Sequence, residues 1–220
     1  MDDAYIFNHV DHTLLAATAT WSEIDALCKE AIKYETASVC IPPSYVKPVR
    51  VAYPDLIICT VVGFPLGYDT MAVKALAVQA AIEDGADEID MVVNLADVKN
   101  GDYEKVETEI TLLKNIAGKK VLKVIIETCY LTEEEKIALC KAVTESKADY
   151  IKTSTGFGTA GATLADVELF KAHIGSDVKI KAAGGIRARE DMVVFLEAGC
   201  SRLGTSSAVK ILTGNKAEAY

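Results

Sequence analysis

Lys152 and Lys181 are the residues whose type and spacing are best suited to chemistry. Each ends a short apolar, β-branched run and is followed at once by a turn of small residues. The first segment reads Asp149-Tyr150-Ile151-Lys152-Thr153-Ser154-Thr155-Gly156. The second reads Val178-Lys179-Ile180-Lys181-Ala182-Ala183-Gly184-Gly185-Ile186-Arg187. A lysine on a buried strand is costly unless its charge is paired or lost. Two of them at strand ends imply one amine held near a second positive charge, an arrangement that makes an amine a nucleophile toward carbonyls. Two solvated lysines are the ordinary alternative. The phosphate-suited turn after each lysine argues against it.

The rest of the chain supplies elements to position this pair. Short strand-like runs lie at 37–41, 56–62, 88–93, 121–127, 149–153, 178–182 and 202–204, with a weaker one at 6–11. Helical stretches alternate with them at 22–34, 69–84, 103–116, 132–146, 164–173, 189–198 and 206–213. In 22–34, Ile24, Leu27, Cys28 and Ala31 form one stripe. Thr132-Glu133-Glu134-Glu135 has the form of a capping box. Eight strand–helix units with short connections in 220 residues predict an α/β fold, a single (β/α)8 TIM barrel spanning 1–220 with a mobile tail at 214–220. A doubly wound sheet is the alternative, and its glycine fingerprint after the first strand is missing.

Alternation along each strand then sorts the side chains. Ile89, Met91 and Val93, Leu122, Val124 and Ile126, and Val178 and Ile180 make apolar faces for the outer helices. The opposite faces carry Glu88, Asp90, Lys123, Glu127, Lys152, Lys179 and Lys181, which must point into the barrel. Four lysines then face three carboxylates, and one neutral lysine, Lys152, would balance them. Glu88 and Lys179 lie one step deeper and fit a salt-bridge plug in the barrel floor. Asp90, Lys152 and Lys181 sit at the C-terminal strand ends, where barrel active sites are found.

Three small-residue turns follow the last three strands: 155–159, 183–185 and 204–207. Glycine lets backbone N–H groups approach an anion, and a helix start adds a favourable dipole. Thr155, Gly156, Gly184, Gly185, Gly204, Ser206 and Ser207 are therefore candidate phosphate-binding residues. Ser206 or Ser207 could equally serve as an ordinary N-cap.

Composition narrows the partners. Half the residues are hydrophobic and the net charge is −9, which argues against nucleic acid. The N-terminus Met1-Asp2-Asp3 is acidic where a signal peptide would be basic, and no apolar run reaches the length of a membrane span. A cytoplasmic protein with no membrane partner is expected. The six cysteines (Cys28, Cys40, Cys59, Cys129, Cys140 and Cys200) show no C-x-x-C pair, and His9, His12 and His173 fall at no ligand spacing. No metal and no cofactor are expected. Most of the cysteines read as buried reduced thiols, while Cys40, near the inferred barrel mouth, could instead react with aldehydes.

With these residues assembled, the chain resembles the deoxyribose-phosphate aldolases, class I aldolases of deoxynucleoside breakdown. The resemblance runs essentially end to end. It is carried by Asp11-His12-Thr13, Glu88-Ile89-Asp90-Met91-Val92-Val93-Asn94, Lys123-Val124-Ile125-Ile126-Glu127-Thr128, Lys152-Thr153-Ser154-Thr155-Gly156 and Lys181-Ala182-Ala183-Gly184-Gly185-Ile186-Arg187. It implies reversible cleavage of 2-deoxy-D-ribose 5-phosphate to D-glyceraldehyde 3-phosphate and acetaldehyde. Lys152 would form the Schiff base, Lys181 would keep it unprotonated, Asp90 would move protons through a bound water, and Lys123 would pair with Asp90. Thr13 joins the substrate-binding set, Tyr220 on a mobile tail would relay a proton to the enamine carbon, with a frayed terminus the equal alternative, and a homodimer is implied. Two departures bear on the phosphate: Ala160 stands where relatives often have glycine, and Phe157 where some have lysine. Other aldolases on the same scaffold, and a phosphosugar-binding barrel without catalysis, are the rival readings.

Overall fold

The computed structural model of the chain describes residues 1–214. Eight parallel strands close on themselves in chain order. They are β1 (Val10–Thr13), β2 (Ser38–Ile41), β3 (Ile58–Val62), β4 (Glu88–Val92), β5 (Val121–Ile125), β6 (Tyr150–Lys152), β7 (Lys179–Ala183) and β8 (Arg202–Thr205). The first strand pairs with both the second and the last, so no edge is left open. The expected (β/α)8 barrel is the observed fold.

Ten α-helices surround or close it among the described residues: α1 (Asp3–Phe7), α2 (Trp21–Tyr34), α3 (Val46–Ala52), α4 (Met71–Glu83), α5 (Leu95–Lys99), α6 (Tyr103–Ala117), α7 (Glu133–Glu145), α8 (Leu164–His173), α9 (Arg189–Ala198) and α10 (Ala208–Thr213). The capping box at Thr132 and Glu135 forms as expected, and a second one forms at Thr20 and Glu23. Ile24, Leu27, Cys28 and Ala31 are the buried stripe of α2. The apolar strand faces behave as their alternation dictates. Ile89, Met91, Leu122, Val124, Ile151 and Ile180 pack in one cluster with Ile110 and Leu113 of α6, Val143 of α7 and Phe170 of α8. That outward core leaves the inward faces to the charged residues.

Four local readings need correction. The run 6–11 is not one strand. Asp2 accepts a hydrogen bond from the Tyr5 N–H and starts α1, which buries Ile6 and Phe7, and Phe7 stacks on Tyr34 at 5.0 Å. The strand begins only at Val10. The run 121–127 ends at Ile125, and Glu127 adopts φ 52°, a left-handed conformation that aims its side chain across the rim. The last helix starts at Ala208, because the Ser207 N–H donates to Thr205 Oγ1 and no serine side chain caps the helix. Lys179 does not join the interior. It is exposed at the N-terminal end of β7, with Nζ 5.7 Å from the Tyr150 ring.

Candidate active site

The barrel interior holds seven charged side chains in one network. Asp11 comes from β1, Glu88 and Asp90 from β4, Lys123 from β5, Lys152 from β6, Lys181 from β7 and Arg202 from β8. Asp11, Asp90, Lys123 and Lys181 have no solvent exposure at all. Asp90 is the hub. Its Oδ2 accepts from Lys152 Nζ at 2.7 Å and from Lys181 Nζ at 2.6 Å. Its Oδ1 accepts from Lys123 Nζ at 2.9 Å and from the Cys59 thiol at 3.2 Å. Below it, Lys123 also meets Glu88 at 2.6 Å. Arg202 spans Glu88 at 3.1 Å and Asp11, and Asp11 in turn pairs with Lys181.

The membership differs from the sequence-based expectation, although the balance of four cations and three carboxylates is unchanged. Arg202 replaces Lys179 and Asp11 replaces Glu127. Glu88 does plug the floor, with Arg202 and Lys123 as its partners. Glu127 stands apart at the rim. It accepts from the Thr155 N–H at 3.1 Å and from the Thr155 hydroxyl.

Burial opposes the charges of Asp11, Asp90, Lys123, Lys181 and Arg202, and the ion pairs overcome it. Burial would raise the Asp90 carboxyl, but the ammonium groups of Lys123, Lys152 and Lys181 hold it well below the usual carboxylate range. Asp11 is likewise held low, against burial, by Lys181, Lys123 and Arg202. Burial would lower Lys181, yet Asp11 and Asp90 push it well above an ordinary lysine. Lys123 rises against burial through Asp90, Cys59, Asp11 and Glu88, and Arg202 through Asp11 and Glu88. Lys123, Lys181 and Arg202 are therefore fixed cations. They match Asp11, Glu88 and Asp90 one for one, so the network is neutral when Lys152 is an uncharged amine.

A cavity of about 680 Å³ opens above the network. It sits at the C-terminal ends of the strands, where barrel sites are built. Of the network, Lys152 alone lines it. All eight residues expected to bind substrate or phosphate line it too: Thr13, Thr155, Gly156, Gly184, Gly185, Gly204, Ser206 and Ser207. The turn at Gly184 and Gly185 requires glycine, since both have φ near +75° (77° and 75°). Gly161 packs so closely there that a Cβ would fall 2.2 Å from the Gly184 carbonyl.

Several of these donors are already engaged. The Thr13 hydroxyl donates to the Asp11 carbonyl at 2.7 Å. The Thr155 hydroxyl donates to Glu127 and accepts from the Phe157 N–H at 3.0 Å. Thr155 thus braces the rim, and its hydroxyl proton is not free for an anion. Phe157 lines the cavity with its ring edge-on to Phe64. Cys40 is fully buried behind the lining, where a hydrogen bond with Cys59 lowers its thiol against burial. All six cysteines are free thiols, and only Cys129 is partly exposed. Cys40, Cys59 and Asp90 hold their ligand-type atoms within 4.8 Å of one another, an arrangement that their spacing in the chain did not reveal. Three lysine amines, two of them fixed cations, already occupy both oxygens of Asp90, so the site does not fit a metal cation. Tyr220 lies outside the described residues.

Sequence reasoning missed Arg202, the place of Asp11 in the network, Cys59, and the cavity-lining Arg187 and Lys210. Asp11 escapes because the apolar turn of α1 reads as part of the strand and shifts its start four residues early, and Arg202 because a run of three residues shows no alternation.

Comparison with known proteins agrees with this architecture. Residues 6–208 match the DeoC/LacD family aldolases. A deoxyribose-phosphate aldolase of Clostridium botulinum (strain Eklund 17B / Type B) is 59% identical, with 100% of both chains covered. A crystal structure from Coccidioides immitis, provisionally named deoxyribose-phosphate aldolase, superposes with a TM-score of 0.94 at 38% identity, covering 97% of this chain and 87% of that one. The deoxyribose phosphate aldolase of Aeropyrum pernix, described as a unique tetramer, gives a TM-score of 0.89 at 31% identity, covering 99% and 94%. This chain belongs to the DeoC/LacD aldolase family, within its deoxyribose-phosphate aldolase branch. No helix among the described residues is long and apolar enough to cross a membrane.

Proposed function

We propose that this protein is a class I aldolase that reversibly cleaves 2-deoxy-D-ribose 5-phosphate to D-glyceraldehyde 3-phosphate and acetaldehyde through a Schiff base on Lys152. The observation that carries the reading is the position of Lys152. It is the one amine of the buried network on the cavity wall, with fixed cation Lys181 bound to the same carboxylate oxygen.

The chemistry follows from the residues. Neutral Lys152 adds through Nζ to the substrate aldehyde, and loss of water leaves a protonated imine. The protonated imine takes the electron pair of the C2–C3 bond as the C3 hydroxyl gives its proton to the water on Asp90; glyceraldehyde 3-phosphate leaves and an enamine remains on Lys152. Protonation of the enamine carbon and hydrolysis of the imine free acetaldehyde and Lys152. Lys181 keeps a positive charge beside the amine. Lys123 holds Asp90 from below. In the resting network Asp90 is committed as a carboxylate acceptor. It exchanges protons through a water once Lys152 has lost its own. The turns at Gly156, Gly184, Gly185, Gly204, Ser206 and Ser207 receive the phosphate, while Thr13 and Thr155 hold the walls.

The enzyme acts, in this reading, as a cytoplasmic homodimer in deoxyribose phosphate breakdown, with no cofactor. The exposed apolar side chains of Tyr68, Val73 and Leu76 beside α4 support self-association. Sedimentation velocity decides that point, a single monomeric species refuting it.

The decisive experiment is intact-mass spectrometry after borohydride reduction with acetaldehyde. Wild type gains one ethyl group and Lys152→Ala gains none. An unmodified wild type would end the Schiff-base reading, and an adduct retained by the variant would move the nucleophile to another lysine.

A further inference from the structure

The anion cradle has fewer free donors than its glycines and hydroxyls suggest. The Ser207 N–H is taken by Thr205 Oγ1, and the Phe157 N–H by Thr155 Oγ1. The Thr155 N–H and hydroxyl are taken by Glu127. The protein as a whole carries −9, so its overall field repels a phosphate dianion. The counter-charge must be local. Among the described residues no carboxylate lines the cavity, and three cations do: Lys152, Arg187 and Lys210. Lys152 is bound to Asp90 deep in the cavity. Lys210 stands at the rim on α10, one turn from Ser206 and Ser207, exposed and with no ion pair or hydrogen bond among the described residues.

We propose that Lys210 is a specificity-determining residue: its ammonium group reaches over the Ser206-Ser207 turn and selects sugars that carry a terminal phosphomonoester. This deepens the proposed aldolase reading and rests on it. Lys210 takes no part in bond making. Together with Arg187 on the same wall, it adds positive charge beside a backbone cradle whose donors are partly taken. A solvated helix lysine would leave substrate choice untouched, which gives the test its contrast.

The test compares 2-deoxyribose 5-phosphate with unphosphorylated 2-deoxyribose in wild type, Lys210→Met and Lys210→Arg. For the phosphorylated sugar, Lys210→Met raises KM by about tenfold, as expected for one charge-assisted contact, with the effect confined to KM. The KM for 2-deoxyribose does not follow it, and Lys210→Arg recovers most of the loss. An equal change for both sugars, or no change for either, overturns the proposal. A second readout does not depend on turnover. Inorganic phosphate raises the melting temperature of wild type and raises that of Lys210→Met less; an equal rise in both overturns the proposal. Borohydride trapping with acetaldehyde is run alongside. A wild type that fails to trap, yet loses phosphate stabilisation on Lys210→Met, refutes the aldolase reading while the anion-selecting role of Lys210 stands.

Discussion

Lys152 and Lys181 donate to one and the same oxygen, Asp90 Oδ2, at 2.7 and 2.6 Å. Their nitrogens are therefore no further apart than those two contacts laid end to end. The barrel register explains it: β6 and β7 are adjacent and Lys152 lies directly opposite Lys181. The two differ in what stands behind them. Lys181 has Asp11 as a second carboxylate, whereas Lys152, among the described residues, has only Asp90 and the open cavity. One carboxylate thus gathers two amines of unequal commitment.

That inequality makes Lys181→Met a sharp test. With the neighbouring cation gone, Lys152 becomes the only amine on Asp90 Oδ2, and no second positive charge opposes an ammonium there. Trapping of acetaldehyde at about pH 7 should fall by roughly 100-fold, the usual scale of a proton-handling group. Part of the rate should return as the pH is raised toward about 9.5. A loss of the same size at both pH values, in a variant with unchanged circular dichroism, would reduce Lys181 to a space-filling role.

The same charges shape stability against pH. Asp11 and Asp90 have folded-state pKa values below their unfolded ones. Such groups add stability that is present above the unfolded value of about 3.9 and is lost as pH falls through the folded value. Lys123 and Lys181 are raised, so their contribution is present below about 10.4 and is lost as pH rises through their folded values. Calorimetry should show a melting temperature that this network leaves flat from about pH 5 to about pH 9 and that drops in acid. Asp11→Asn should lower the plateau and shorten the acid drop. An acid limb identical to wild type would mean that Asp11 does not carry it.

The fold and the centre of the site were legible because alternation is a strong signal in long strands. In β4, β5 and β7 the charged and apolar faces separate cleanly, and Asp90, Lys123 and Lys181 all point inward as read. The signal fails where strands are short or end early. β1 has four residues and follows a helical turn that shares its apolar character, so Asp11 was not placed among the interior charges. Glu127 was assigned inward by extending alternation two residues beyond Ile125, where the backbone has already turned left-handed. Lys179 has the right parity but sits at the strand's N-terminal end, within reach of solvent. Parity gives a face; only depth along the barrel decides burial, and depth depends on strand stagger that one strand's sequence does not contain.

Arg202 should prove a structural keystone. It bridges Asp11 and Glu88, and both are buried. Arg202→Met leaves two buried carboxylates short of a cation and should cost about 3–5 kcal/mol. Adding Glu88→Met restores the charge balance, so the double variant should be more stable than the sum of the single losses by roughly 1–3 kcal/mol. Urea denaturation of all four proteins measures this. Strict additivity would show that Arg202 and Glu88 are not coupled.

Glu127 links the rim to substrate binding without touching the amine. Its carboxylate takes both the N–H and the hydroxyl of Thr155, and its φ of 52° costs about 1 kcal/mol in a residue with a Cβ. Glu127→Ala keeps the strain and loses the acceptor; Glu127→Gly loses both. The turn that runs through Thr155 and Gly156 should loosen equally in the two variants. KM for the phosphorylated sugar should therefore rise by roughly tenfold in each, while acetaldehyde trapping at Lys152 persists. Stability should separate them, with Glu127→Gly the more stable because the left-handed backbone suits glycine. If KM tracked stability instead, rising only in Glu127→Ala, backbone strain rather than the Thr155 contact would be what shapes the rim.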